Sequence, residues 1–244
     1  QYCPPPDALD PRLATALHKR GVAQLYSHQG AAWEAVRDGQ HTVIVTPTAS
    51  GKTLCYNLPV LQAAITDKAK ALYMFPTKAL AQDQVAELTA LNQAGNLGVR
   101  AFTFDGDTPG DARKAVRTRG DIVVSNPDML HQAILPHHTK WAQFFEGLRY
   151  VVIDEMHTYR GVFGSHVANL MRRLRRICRF YGSDPVFILA SATIANPGEL
   201  AERLIGNLAL VNNFATNIQQ GSRFWFADWR MEGDKIEADE SHIF

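Results

Sequence analysis

Thr42-Val43-Ile44-Val45 is a short apolar run. Thr46-Pro47-Thr48-Ala49-Ser50-Gly51-Lys52-Thr53 follows it directly, ahead of an apolar helical start at Leu54. Small residues between a strand and a helix let successive backbone N–H groups converge on phosphate oxygens, and the helix N-terminus adds its positive end. In such a loop Lys52 reaches the β/γ phosphates and Thr53 offers its hydroxyl to Mg²⁺. The usual pattern opens on glycine where this chain has Thr46. Gly-Lys-Thr by itself also suits an ordinary strand-to-helix turn, so its context has to decide.

Outward from this loop, short apolar runs recur at helix-sized intervals: Ala71 to Phe75, Val99 to Phe104, Ile122 to Val124, Tyr150 to Ile153 and Val186 to Ala190. They are nearly continuous rather than alternating, as in strands covered on both faces. Helical patterns such as Thr77 to Leu91 and Ser165 to Tyr181 lie between them. Alternating strand and helix predicts an α/β fold, a three-layer sandwich around a mostly parallel sheet. In the second helical segment Val167, Leu170, Met171, Leu174, Ile177, Cys178 and Tyr181 form one buried stripe. Arg172, Arg173, Arg175, Arg176 and Arg179 fall outside it and read as a solvated face.

The run ending at Ile153 leads into Asp154-Glu155-Met156-His157. A carboxylate at a strand tip is costly without a cation. Beside a phosphate loop, Asp154 would hold Mg²⁺ directly or through water, and Glu155 would orient and deprotonate an attacking water. The run ending at Ala190 leads into Ser191-Ala192-Thr193, whose hydroxyls could bond the acidic loop and report its state. Upstream, Gln29 lies about one helix before the phosphate loop, and its amide suits the N6 and N7 edge of adenine.

With 244 residues, 46% of them hydrophobic, the chain can bury the core of one large domain or two small ones, which excludes disorder and fibre. Lys plus Arg number 25 against 24 Asp plus Glu, a net charge of +1, so nucleic-acid binding has to be local. Cys3, Cys55 and Cys178 form no pair at zinc-ligand or redox spacing, which fits a reducing, cytoplasmic setting. No stretch of about 18 apolar residues occurs, so no membrane partner is expected, and the opening Gln1 reads as that of a soluble fragment of something longer. Three units are expected: a helical segment over 1–40, the nucleotide-binding lobe over 41–206, and 207–244. That last stretch sets Arg223, Arg230 and Lys235 against six acids, a net −3, and is read as an edge strand around Arg223 to Phe226, or an interlobe linker, and an acidic tail.

The order of Gln29, Thr46 to Thr53, Phe75-Pro76-Thr77-Lys78-Ala79-Leu80, Asp105-Gly106-Asp107-Thr108, Ser125-Asn126-Pro127-Asp128-Met129, Asp154 to His157 and Ser191 to Thr193 resembles the first motor lobe of a superfamily 2 helicase of the DEAD/DEAH-box type. More narrowly, Leu-Tyr-Ser-His-Gln, Asn-Pro-Asp-Met-Leu-His and Tyr159-Arg160-Gly161-Val162-Phe163-Gly164-Ser165-His166-Val167 are similar to bacterial mitomycin repair helicases and their fungal RecQ4-like relatives. The resemblance implies a RecA-like lobe that uses ATP and Mg²⁺. It places an adenine contact at Gln29, phosphate binding over Thr46, Pro47, Thr48, Ala49, Ser50, Gly51, Lys52 and Thr53, metal at Thr53 and Asp154, and catalysis at Lys52, Asp154, Glu155 and His157. Ser191, Ala192 and Thr193, with His157, would couple the nucleotide to the strand. Pro76-Thr77-Lys78, Gly106-Asp107-Thr108 and Asn126-Pro127-Asp128 would grip single-stranded DNA by its backbone. Each could equally cap a helix: Thr77 precedes one, and Asn126-Pro127 pairs an N-cap with proline at the first helical position.

The implied whole protein is an ATP-dependent DNA helicase moving 3′ to 5′ in DNA repair, nucleoid-associated if bacterial. An RNA-dependent ATPase and a non-catalytic nucleotide- or strand-binding module are the alternatives, and His157 in place of Asp argues against the former. This chain is too short to hold the second RecA-like lobe, whose arginine fingers contribute roughly 10³ to 10⁵ in rate for phosphoryl transfer. It is therefore expected to bind ATP weakly and hardly hydrolyse it. The cysteine-rich C-terminal region of such helicases is also missing, so neither zinc nor an iron–sulfur cluster is expected.

Overall fold

The computed structural model describes residues 2–47 and 50–206, together with the backbone of strands at 212–215, 231–232 and 235–236. In chain order the elements are β1 (Tyr2–Cys3), α1 (Pro11–Lys19), β2 (Leu25–Tyr26), α2 (Ser27–Arg37), β3 (Thr42–Val45), α3 (Lys52–Thr66), β4 (Lys70–Met74), α4 (Lys78–Gly95), β5 (Ala101–Thr103), α5 (Gly110–Arg119) and β6 (Ile122–Ser125). A helical run then begins as α6 (Pro127–Met129), widens to π over Leu130–Ile134 and tightens to 3-10 over Leu135–Trp141. It is followed by α7 (Ala142–Glu146), β7 (Leu148–Ile153), a 3-10 turn at Met156–Thr158, α8 (Gly161–Phe180), β8 (Val186–Ser191), α9 (Pro197–Ile205), β9 (Asn212–Ala215), β10 (Met231–Glu232) and β11 (Lys235–Ile236).

Seven strands form one sheet in the order β5-β6-β4-β7-β8-β3-β9. The sequence predicts a mostly parallel sheet, and every pairing within this one is parallel. Among the described residues antiparallel pairing is confined to two small ribbons, β1 with β2 and β10 with β11. Parallel neighbours need a crossover, and the helices supply it on both faces.

Successive strand residues feed opposite layers. Ile44, Ala71, Tyr73, Ile122, Val124, Val152, Ile188 and Ala190 pack under α1 to α4. Val43, Val45, Leu72, Met74, Val123, Val151, Ile153, Phe187 and Leu189 pack under the helices that follow β5. The segment before residue 41 belongs to the first layer, through Leu13, Leu17, Leu25 and Trp33.

Helix starts follow local chemistry. Thr77 caps α4 by accepting the Leu80 N–H at 3.4 Å, and Asn126 caps α6 by accepting the Met129 N–H at 2.9 Å, with Pro127 in the first turn. The stripe expected on α8 is buried at Val167, Leu170, Met171, Leu174 and Cys178. One arginine departs from the solvated face: Arg175 bonds the carbonyls of Ile205 at 3.1 Å and Gly206 at 3.2 Å, and lies over the Phe187 ring. It closes the open end of α9, where unsatisfied carbonyls attract a cation. Arg173 reaches His131 at 2.9 Å on the π-helical turn. The strand expected around Arg223 to Phe226 lies outside the described residues. Among the described residues no helix is long and apolar enough to cross a membrane.

Candidate functional site

Every candidate segment in the central sheet follows the carboxyl end of a strand, where open parallel sheets gather ligands. The sheet order divides them. The loops after β5, β6 and β4, at Gly106, Asn126 and Pro76, occupy one half of the edge. Those after β7, β8 and β3, at Asp154, Ala192 and Thr46, occupy the other.

In the phosphate loop Gly51 is the N-cap of α3 in the left-handed region, φ 78°, which a side chain would strain. Thr46 is fully buried and has no positive φ, so nothing in its backbone demands the glycine usual there. Its hydroxyl instead accepts from Ser50 Oγ at 2.5 Å, closing the loop on itself. Lys52 makes no ion pair among the described residues and stands half-buried at the first turn of α3. Thr48 and Ala49 lie outside the described residues.

Gln29, on α2, is 2% exposed. Its Oε1 accepts the Tyr26 N–H at 2.8 Å and its Nε2 donates to the Gly51 carbonyl at 2.9 Å. The amide read from sequence as an adenine contact is thus fastened to the phosphate loop. An aromatic stack of Tyr2, Tyr26 and His28 runs beside it, with centroids 5.0 and 5.5 Å apart.

Asp154 is 8% exposed, and its carboxylate accepts the Tyr56 hydroxyl at 2.8 Å and the Glu155 N–H at 2.7 Å. Neither partner is a cation, so a buried charge is left for one to neutralise. Thr53, in the first turn of α3, lies beside the same Tyr56. A hydroxyl and a carboxylate are the oxygen donors Mg²⁺ takes, with water completing its octahedron. Glu155 sits at φ 51°, ψ 41°, strained for a non-glycine residue, and that turn brings its Oε2 to 3.2 Å from His157 Nδ1. His157 Nδ1 is also 3.4 Å from Ser191 Oγ, and the Ser191 carbonyl accepts the Thr46 N–H at 3.4 Å. Glu155, His157, Ser191 and the phosphate loop therefore form one chain of contacts. Ala192 adds only its carbonyl, taken by Ser191 Oγ at 2.8 Å, and the exposed Thr193 is not drawn into it.

On the other half, Lys78 is ion-paired with Asp107, which ties two of the expected strand loops together. Thr108 Oγ1 accepts the Asp105 N–H at 2.9 Å and bonds Asp105 Oδ1 at 3.1 Å, so that hydroxyl is spent within its own loop. Thr77 and Asn126 are spent as helix caps. Gly106, Asp107 and Asp128 are exposed, Pro76 is half-buried and Pro127 is buried. With the threonine and asparagine side chains spent, backbone N–H groups at the N-termini of α4 and α5 are the donors this half could offer an anion.

Sequence reasoning missed Tyr56, Asn57, Tyr73 and Gln84. All four are buried, and they run as a polar chain from Asp154 into the layer under α3 and α4. Asn57 alone stands out in the sequence, as a polar residue on a largely apolar helix, while Tyr73 lies on β4 and Gln84 among the many polar residues of α4.

Fold and site together define a RecA-like phosphate-loop lobe. The chain belongs to the DEAD/DEAH box helicase family, whose profile matches residues 26–200. It is 62% identical over 204 residues to an uncharacterized ATP-dependent helicase, YprA, of Bacillus subtilis, covering 83% of this chain and 27% of that protein. It is 41% identical over 211 residues to the ATP-dependent helicase hrq1 of Schizosaccharomyces pombe, covering 84% and 20%. Among solved structures, a DUF1998 helicase, MrfA, bound to DNA and AMPPNP superposes with a TM-score of 0.82 at 61% identity, over 84% of this chain and 29% of that one. The chain thus spans less than a third of the length of these relatives.

Proposed function

We propose that this chain is the first motor lobe of an ATP-dependent DNA helicase, which binds ATP with Mg²⁺ and single-stranded DNA and, joined to a second RecA-like lobe, moves 3′ to 5′ along the strand in DNA repair. The observation that carries this is the divided carboxyl edge: phosphate loop and acidic carboxylates on one half, and three loops, two of them opening the long helices α4 and α5, on the other. The MrfA complex with DNA and AMPPNP and the family's helicase relatives support the same ligands here. Cytoplasmic residence accords with three cysteines that are all free.

Lys52 and the amides of the loop would hold the β/γ phosphates. Thr53 and Asp154 would hold the metal, which neutralises charge building on the phosphoryl oxygens. Glu155 would take the proton of the attacking water, with its carboxylate fixed by His157. Ser191, touching His157 and the phosphate loop, would link that centre to the strand half. The strand would run over the N-termini of α4 and α5, held by amides that read no sequence.

Steady-state ATP hydrolysis by the chain, titrated separately with single-stranded DNA and RNA against a Lys52→Ala blank, tests the reading. The lone lobe should turn over barely above the blank, and adding the second lobe should raise the rate roughly 10³- to 10⁵-fold, with DNA stimulating more than RNA. Brisk turnover by the monomer would overturn the half-motor reading, and stimulation by RNA alone would overturn the choice of DNA.

A further inference from the structure

The layer under α1 to α4 is a large apolar cluster crossed by a polar thread. Tyr56, on α3, is 1% exposed and its hydroxyl has two acceptors, Asp154 Oδ2 at 2.8 Å and Gln84 Oε1 at 3.3 Å. A hydroxyl carries one proton, so it serves one of them at a time. Gln84 lies on α4, two turns beyond Thr77 and Lys78, and its Nε2 donates to Asn57 Oδ1 at 2.9 Å. The same oxygen accepts the Tyr73 hydroxyl at 3.0 Å, and the buried Asn57 Nδ2 has no partner.

Such a thread is expensive in an apolar layer, and phenylalanine and leucine would fill the same volume at no desolvation cost. It does not close on itself as a network built only to hold the layer would. It runs from the Asp154 carboxylate to the helix that carries a strand loop at its head. We propose that Tyr56 and Gln84 are positioning residues that transmit the state of the α4 strand loop to the Asp154 carboxylate.

The physical basis is the contested proton. While Asp154 is an uncompensated carboxylate, the charge-assisted bond at 2.8 Å holds the Tyr56 proton. Once the carboxylate's charge is shared with a cation, its pull weakens and the proton turns to Gln84 Oε1, tightening α3 against α4. A strand seated on the α4 N-terminus that favours the same tightening would favour the same partner for Tyr56, because coupling between two sites is reciprocal. This rests on the ATP and strand reading above, and it needs only residues of this lobe.

The test is binding of a fluorescent methylanthraniloyl-ATP to the chain, with Mg²⁺ or with EDTA, each with and without saturating oligothymidylate. In the native chain the strand should change the Mg²⁺-nucleotide Kd by about fivefold or more. In Tyr56→Phe, and separately in Gln84→Leu, that factor should collapse towards one, while the Kd for oligothymidylate alone and for nucleotide in EDTA stay native. Tyr56→Phe removes one oxygen and is the variant that keeps the fold. A purely structural role would weaken both binding events together, so that result would overturn the proposal. So would variants that keep the native factor, or a native chain that binds both ligands without coupling. A native chain whose nucleotide binding is absent or indifferent to Lys52→Ala would instead overturn the functional reading, and the coupling with it.

Discussion

Single residues at this site carry strain and burial that ordinary packing would not select. Glu155 holds a left-handed backbone so that its carboxylate meets His157. Glu155→Gln keeps the shape and the hydrogen-bonding reach and removes the proposed base. It should leave the nucleotide Kd within about twofold, and in the complete helicase lower turnover by at least about 10²-fold, the usual contribution of a positioned base. Gly51 carries the other constraint: φ is 78°, and an added Cβ would lie 2.6 Å from Gln29 Nε2. Gly51→Ala should cost about 1–2 kcal/mol in stability and should also weaken nucleotide binding. Gly39→Ala is the control, since φ there is 77° but nothing stands within 4 Å. Strain alone would make the two melting-temperature losses equal, and an excess at Gly51 reports the Gln29 contact. Gly51, Lys52 and Glu155 were legible in sequence because a loop motif depends on near neighbours. Thr46 was legible only as a missing glycine, since the hydroxyl clasp to Ser50 depends on how the loop folds back.

Among the elements, the strands were the most legible, because burial on both faces forces continuous apolar runs. The Thr42 to Val45 run coincides with its strand, four others differ from theirs by one or two residues at one or both ends, and the Val99 to Phe104 run exceeds its strand by two at its start and one at its end. The start of α8 was not legible: periodicity began it at Ser165, whereas it starts at Gly161. Its first turn exposes Val162 and Phe163, so no apolar stripe marks it. What fixes that turn is close packing. A Cβ on Gly164 would lie 2.5 Å from the Tyr159 carbonyl oxygen, a backbone atom that cannot swing away. Gly164→Ala should therefore destabilise the chain by about 1–3 kcal/mol, read as a shift in the urea midpoint at unchanged slope. The π turn over Leu130–Ile134 and the capping of α9 by Arg175 were equally hidden. A charged residue on a helix face reads as solvated until a neighbouring helix end is known to lie beneath it.

Across the whole molecule, stability should depend on pH through two imidazoles. Burial lowers both His28 and His41 below their ordinary value of 6.5. Arg175 lowers His41 further against the opposing pull of Asp184, while a bond to the Ser50 backbone opposes burial at His28. His41 Nδ1 accepts the Phe187 N–H at 3.1 Å, which requires the neutral ring. Between the depressed folded values and 6.5 the unfolded chain binds more protons, so stability is complete above that value and falls as pH drops through it. Melting temperatures from about pH 8 to about pH 5 should decline below 6.5, less steeply in His41→Asn, which keeps an acceptor and removes the titration. The sequence by itself determined the order of strands and helices, the phosphate loop and the acidic strand tip, because each is written in residues a few positions apart. Only the tertiary structure decided the strand order. That order divides the edge into two halves, fastens Gln29 to Gly51 and brings Tyr56 against Asp154 across 98 positions. Contacts at that separation leave no local pattern, since what selects them is the crossover path of the chain and the exclusion of water from the layer it closes.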